Sequence, residues 1–263
     1  MTVFNRTAFE SAGRYAAYEG RTDQRAEDIA TQANVIQYAA GRKIDSAIVA
    51  KRIFDICISS IALVLLSPLI IAAAVVVKLD SRGPVFFEQE RIGLNRRKEK
   101  GEARSDLHGS SERRKSINPG RPFRIYKFRT MVQGAEKDVP TLACENDPRI
   151  TRIGRLLRKT RIDEIPQFIN VIKGDMSIIG PRPERSFFIN QVKSEMPEFT
   201  MRLMVKPGIT GLAQVEHGYT QTVGEMKGKL FYDLKYIANL SLTQEIKIIF
   251  KTFYVVVTGK GAC

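Results

Sequence analysis

An adjacent acid pair, Asp163-Glu164, stands inside the segment LRKTRIDEIPQFINVIKGDMSIIGPRP, residues 157–183, among several fixed positive charges. Arg158 lies five residues before Asp163, and Lys127, Arg129 and Arg182 are further basic candidates. Carboxylates facing cations suit chemistry on a phosphate. One carboxylate can attack phosphorus or hold a divalent metal, while Arg and Lys neutralise the phosphate oxygens. The alternative for such a pair is N-capping plus a salt bridge. The segment predicts a helix over residues 165–172, with Asp163 near its N-cap, Pro166 in its first turn and Gly174 ending it. A helix N-terminus favours anions, so the expectation is a lowered carboxylate pKa.

The acids need neighbours to position them. PFRIYKFRTM, residues 122–131, alternates apolar and basic residues and predicts a strand. Period-two spacing puts Arg124, Tyr126 and Phe128 on one face and Ile125, Lys127 and Arg129 on the other. Residues 83–95 form a second strand-like run, and residues 153–161 a short basic amphipathic helix. Residues 177–180 predict a short strand leading into Pro181-Arg182-Pro183. KPGITGLAQV, residues 206–215, predicts a turn and an extended run. Residues 230–239 and 241–258 close the chain as amphipathic helices, the second with an apolar face suited to a membrane interface.

Upstream, residues 56–77 carry no charge, which is near the ~20 apolar residues that cross a bilayer. Lys51 and Arg52 precede this run, and Lys78 and Arg82 follow it. The positive-inside rule prefers both flanks on the cytoplasmic side. A straight helix cannot satisfy that, whereas a bent one can. Pro68 removes the helix bond to Val64, and the Ser67 hydroxyl can satisfy a freed carbonyl such as that of Leu63. The segment alone leaves three readings open: a re-entrant hairpin, a Pro-kinked spanning helix and a buried helix of a soluble protein. The absence of a later long apolar segment favours the hairpin.

The chain has 263 residues and a formal net charge of +14, which points to nucleic acid, anionic lipid or a phosphorylated substrate as partner. Trp is absent, and the uncharged run argues against a nucleic-acid-binding protein. Cys57, Cys144 and Cys263 are far apart and show no metal-ligand spacing, which fits a reducing compartment better than a disulfide framework. Residues 1–47 form a polar extension without an apolar leader core, and residues 96–121 read as a flexible basic insertion.

Taken in order, KR-x-x-D at residues 51–55, Ser67-Pro68, IYKFRTM, the 157–183 segment, KPGITGLAQV and YDLKYIANLSL resemble the bacterial sugar transferase family, the monotopic phosphoglycosyl transferases. The resemblance runs from about Lys51 to the C-terminus. It implies an α/β fold: a small, mostly helical α/β catalytic domain (residues 81–263) with amphipathic interfacial helices, resting on an N-terminal re-entrant membrane helix (residues 48–80) broken at Ser67 and Pro68. It also implies transfer of a sugar 1-phosphate from a UDP-sugar to a polyprenyl phosphate, such as undecaprenyl phosphate, at the cytoplasmic face of the bacterial inner membrane, with membrane lipid as a further partner. Asp163 would be the nucleophile that forms a phosphosugar-aspartyl intermediate, Glu164 the ligand of Mg²⁺, and Lys127, Arg158 and Arg182 the phosphate-binding cations. A non-catalytic scaffold of a polysaccharide assembly system is the other reading. Two places depart from the family pattern. Residues 216–219 read Glu-His-Gly-Tyr where many members have Asn-Gly-Arg after LAQV, and Glu245 stands where members often have Asp. His217 is expected to be structural.

Overall fold

A computed structural model describes residues 44–95, 120–135, 147–217 and 223–258. Most of the polar extension and of the basic insertion, and Gly218 and Tyr219 of the departing Glu-His-Gly-Tyr run, lie outside the described residues, as do Cys144 and Cys263.

Two helices open the described chain, α1 (Ile44–Leu65) and α2 (Ser67–Asp80), bent by 62° at the break between them. Pro68 has no N–H to give to Val64. The carbonyl it frees is taken by the Ser67 hydroxyl at 2.8 Å. The partner is therefore Val64, not Leu63 as the sequence suggested, because the i−3 carbonyl is the one the proline orphans. Apolar side chains point outward along both limbs, from Ile53 and Ile61 to Ile71 and Leu79. No single helix among the described residues is long and apolar enough to cross a membrane. The bent pair passes that test together.

Strands β1 (Phe86–Ile92) and β2 (Pro122–Phe128) pair antiparallel, with Gln89 opposite Ile125. Phe123 and Ile125 enter the main core, while Arg124 on the other face is exposed. Phe128 shares that second face but is buried, because Ala73, Val77 and Leu157 close over it. The pattern had placed it correctly by period and could not show what would cover it.

Helix α3 (Arg152–Lys159) is capped by Thr151, whose side chain accepts from the Gly154 N–H. A Cβ at Gly154 would lie 2.1 Å from the Thr130 carbonyl oxygen and 2.8 Å from its Cα, both backbone atoms that cannot yield. Glycine therefore lets α3 lie directly on the end of β2. Gly154→Ala is expected to lower stability by about 1–3 kcal/mol, despite its better helix propensity, and to displace Arg158 from Thr130. A thermal melt against wild type checks it.

The acid pair sits on a separate 3₁₀ turn, Ile162–Glu164. Helix α4 (Gln167–Lys173) follows, with Pro166 at its N-cap and Gly174 at φ 88° closing it. Asp163 is thus a turn ahead of the helix and not at its N-cap. Three-residue hydrogen bonds, Ile165 N–H to the Ile162 carbonyl and Phe168 N–H to that of Ile165, carry the chain between them. Arg161, at φ 59°, has the only positive φ of a non-glycine among the described residues, and it sets the entry to the turn.

Strand β3 (Ser177–Ile179) pairs in parallel with β4 (Gly208–Thr210). Between them lie α5 (Ser186–Glu195) and a 3₁₀ helix, Pro197–Met204. The second half of KPGITGLAQV is not extended: residues Leu212–Glu216 form α6. A short apolar run cannot be assigned by period alone, and here Gly211 turns it by packing against Gly180, whose oxygen would meet its Cβ at 2.2 Å. Helices α7 (Val223–Ala238) and α8 (Leu242–Thr258) close the chain. The result is a mixed helix-and-sheet domain with two small sheets and helices predominating.

Candidate active site

Three elements converge on the acid pair. Lys127 comes from β2, Arg182 from the loop after β3, and Asp163 and Glu164 from the 3₁₀ turn. Both acids are buried, 6% and 7% exposed. Lys127 Nζ reaches Glu164 Oε1 at 2.8 Å, and Arg182 Nη2 reaches the same oxygen at 2.6 Å. Glu164 Oε2 has only a long contact, 3.4 Å, to Arg182 Nη1. The two predicted phosphate cations therefore rest on Glu164 and not on Asp163. Arg158 lies to one side, its Nε donating to Thr130 Oγ1 at 2.8 Å. Its charge is still felt at Asp163.

Asp163 Oδ1 is buried and has no hydrogen-bond partner. Burial first, and then the charge of Glu164, push the Asp163 carboxyl up to about 6, against the pull of Lys127, Arg158 and Arg182. The expected lowering by a helix N-terminus is overturned: the turn separates Asp163 from α4, and desolvation outweighs the cations. For Glu164, burial acts upward too, but Arg182 and Lys127 in direct contact hold it well below the usual carboxylate range. One acid is pinned and ionised, and the other is held ready with an uncommitted oxygen. Two buried carboxylates set apart in this way are what divided chemical roles require.

Among the described residues no cluster of three or more His, Cys, Asp and Glu could cage a metal. Mg²⁺ does not need one, since it commonly takes one or two carboxylates and completes its shell with water and substrate phosphate. The loosely held Glu164 Oε2 fits that donor set.

Other residues of the motifs are structural ties. Lys51 places Nζ 2.6 Å from both carboxylate oxygens of Glu245. Arg52 donates to the carbonyls of Val171 and Ile172 at 2.5 and 2.7 Å. Asp55 accepts from the Ser177 hydroxyl and the Ile178 N–H, both at 3.1 Å. The KR-x-x-D motif thus fastens α1 to the domain. Arg129 does the same for α2, donating to the Ser81 carbonyl at 2.6 Å and to its hydroxyl at 2.9 Å. His217 ends α6, its ring packed against Gly228, as a structural histidine does.

Sequence reading missed Arg91 and Glu184. Arg91, on β1, donates to the Pro183 carbonyl at 3.2 Å and adds positive charge near Glu164 and Lys127. Glu184 is buried among Lys229, Arg202 and Arg91. Burial would raise its carboxyl, but these cations together hold it at about 2. The spacing of their segments marked neither residue; the only signal was an acid directly after Pro-Arg-Pro.

The fold and site define a class: a small mixed α/β domain with two buried, cation-flanked carboxylates, joined to a bent apolar helix pair. The chain belongs to the bacterial sugar transferase family, whose sequence profile it matches over residues 46–100 and 110–259. It is 45% identical over 212 residues to the UDP-N-acetylgalactosamine-undecaprenyl-phosphate N-acetylgalactosaminephosphotransferase of Aeromonas hydrophila. It is 38% identical over 214 residues to the UDP-glucose:undecaprenyl-phosphate glucose-1-phosphate transferase of Escherichia coli K12. These matches cover 81% of this chain but only 44% and 41% of those relatives. The exopolysaccharide production protein PSS of Rhizobium leguminosarum is 37% identical over 226 residues, which is 81% of this chain and 98% of that protein.

Proposed function

We propose that this protein transfers a sugar 1-phosphate from a UDP-sugar to undecaprenyl phosphate and so initiates an exopolysaccharide or other surface glycan. The observation that carries the reading is the buried, unpartnered oxygen of Asp163 beside a Glu164 clamped by Lys127 and Arg182. The substrate classes come from the relatives' names.

In the first step an Asp163 oxygen attacks the β-phosphorus of the UDP-sugar. A phosphorus–carboxylate bond forms, the bond to the bridging oxygen breaks, and UMP leaves with the electron pair. In the second step an oxygen of the polyprenyl phosphate attacks the aspartyl-bound phosphorus. The diphosphate bond forms, and Asp163 departs as a carboxylate. Splitting the transfer avoids bringing two polyanions together at once. Lys127, Arg158 and Arg182 stabilise the charge on the transferred phosphoryl oxygens. Bound Mg²⁺ supplies further neutralisation of the diphosphate, and Glu164 is the residue that would hold it. The test is a screen of UMP release over a panel of UDP-sugars with undecaprenyl phosphate and Mg²⁺. Release from none of them rejects the reading.

The helix pair is a re-entrant hairpin in this reading, with the domain on the cytoplasmic face of the bacterial inner membrane. What supports it is the anchoring. Lys51, Arg52 and Asp55 tie the start of one limb to the domain, and Arg129 ties the end of the other, so both limbs leave from the same side. The apex near Ser67-Pro68 would point into the bilayer, and the exposed Phe250, Phe253 and Val257 of α8 would rest at its surface. A single cysteine introduced after Lys78 is expected to react with impermeant thiol reagents only from the cytoplasmic side. Pro68→Ala, which restores the Val64 hydrogen bond, is expected to straighten the pair and cut membrane-bound activity about tenfold or more, by lifting the site from the surface. Labelling only from the periplasmic side overturns the hairpin.

A further inference from the structure

The loop that carries Arg182 is held by an unusual set of contacts. The carbonyls of four consecutive residues, 181–184, are all taken. Gly208 N–H donates to the Pro181 carbonyl at 2.9 Å, and Ile92 N–H to that of Glu184 at 3.0 Å. The two between them are held by arginine side chains: Arg202 Nη2 donates to the Arg182 carbonyl at 3.0 Å, and Arg91 Nη1 to the Pro183 carbonyl at 3.2 Å. Backbone groups could have served all four. Instead, two guanidinium groups are drawn in, and buried acids are supplied to hold them.

Arg202 is 2% exposed and lies in the 3₁₀ helix Pro197–Met204. Its Nη2 is 2.7 Å from Asp233 Oδ2, its Nη1 is 3.6 Å from Glu184 Oε1, and its guanidinium stacks over the Phe199 ring. Glu184 also pairs with Lys229 and, at 3.7 Å, with Arg91. Lys229 and Asp233 both come from α7, one turn apart. The network therefore joins α7, the 3₁₀ helix and β1 to one loop. None of Arg202, Lys229 or Asp233 touches the acid pair.

We propose that Arg202, supported by Asp233, Glu184 and Lys229, and Arg91 are positioning residues that act through Arg182. By gripping the carbonyls at and after Arg182 they fix the direction in which its side chain leaves the loop. That direction places the guanidinium on Glu164 and, in the working enzyme, on the transferred phosphate. The network also carries three cations against two anions, and Arg91 brings part of that positive charge near Glu164 and Lys127. A buried ion cluster is weak evidence for stability, since apolar residues can often replace one without loss. Orientation is the function these contacts serve. The inference rests on the phosphoglycosyl transferase reading.

A double-mutant cycle tests it. Arg202→Lys keeps the charge but cannot hold the Arg182 carbonyl and Asp233 together in the same geometry. It is made alone and with Arg182→Lys. UMP release and pyrophosphate affinity by calorimetry are measured for each protein, with thermal melts alongside. In the wild-type background Arg202→Lys is expected to lower kcat roughly 10- to 100-fold and to weaken pyrophosphate binding, with the melt little changed. In the Arg182→Lys background the same change is expected to cost less than about twofold. Equal losses in both backgrounds overturn the proposal, since a merely structural role is indifferent to Arg182. If Arg202→Lys does not fold, Arg91→Lys, which loosens the Pro183 carbonyl and the contacts to Glu184 and Gln89, takes its place in the same cycle with the same two outcomes. If the wild-type protein releases no nucleotide from any donor, the functional reading fails and the pyrophosphate cycle alone decides the positioning claim. Wild-type protein that also fails to bind pyrophosphate overturns both.

Discussion

Asp163→Asn is expected to lower UMP release by about a thousandfold or more while leaving the protein as stable as wild type, or more so. The two halves of this result have one cause. Asp163 is buried with an unpartnered oxygen, and its carboxyl is pushed up to about 6. A group whose folded pKa is raised above its unfolded value costs stability once it ionises, so the penalty is present above about pH 6 and absent well below pH 4. The amide removes that penalty. It also removes the nucleophile, because an amide oxygen cannot form the acyl-phosphate ester and leave again as a carboxylate. Glu164→Gln should behave differently. Its carboxylate neutralises Lys127 and Arg182, so the amide leaves two half-buried cations without the carboxylate that contacts them. Activity and stability are expected to fall together there. Measured at pH 8 by UMP release and by thermal melt, the pair separates chemistry from charge balance. Unchanged release by Asp163→Asn would remove the aspartyl intermediate from the mechanism.

The site was legible in the sequence where residue type and local spacing carry the information. Lys127 is reached by period-two alternation, Gly174 by its role in ending a helix, and Pro68 by the carbonyl it must orphan. All three lie where the pattern placed them. Asp163 was found but misplaced by one turn, because Pro166 admits either a first-turn position or an N-cap, and only the positive φ at Arg161 decides between them. The direction of its pKa was misjudged for a related reason. A local dipole can be read from sequence, whereas burial depends on segments distant in the chain. The same limit hid Arg91 and Arg202. They act through carbonyls 92 and 20 residues away, and no local spacing encodes such a contact.

Glu245 shows how far long-range context reaches, and its replacement by Ala is expected to cost about 3–5 kcal/mol. The side chain is 1% exposed. Both its oxygens lie 2.6 Å from Lys51 Nζ, and Oε1 also accepts from the Tyr236 hydroxyl at 2.6 Å. Burial and the neighbouring carboxylate push the Tyr236 phenol upward, so it remains a donor throughout the physiological range. Removing the carboxylate strands Lys51, whose remaining acid, Asp55, is 4.0 Å away and already engaged by Ser177 and Ile178. Asp in this place would keep the charge but shorten the reach. Glu245→Asp is therefore expected to lose much less than Glu245→Ala. Lys51→Met with Glu245→Met should recover most of the loss, because two apolar groups leave no buried charge unpaired. Thermal melts of the singles and the double in detergent measure the coupling. Since Lys51 belongs to α1 and Glu245 to α8, a strong coupling would also mean that the first limb of the bent pair and the last helix are fastened at one buried point. In the proposed re-entrant arrangement, the candidate site would then be held at a fixed height above the membrane. Additive losses, with no recovery in the double variant, would reduce the pair to an ordinary packing contact.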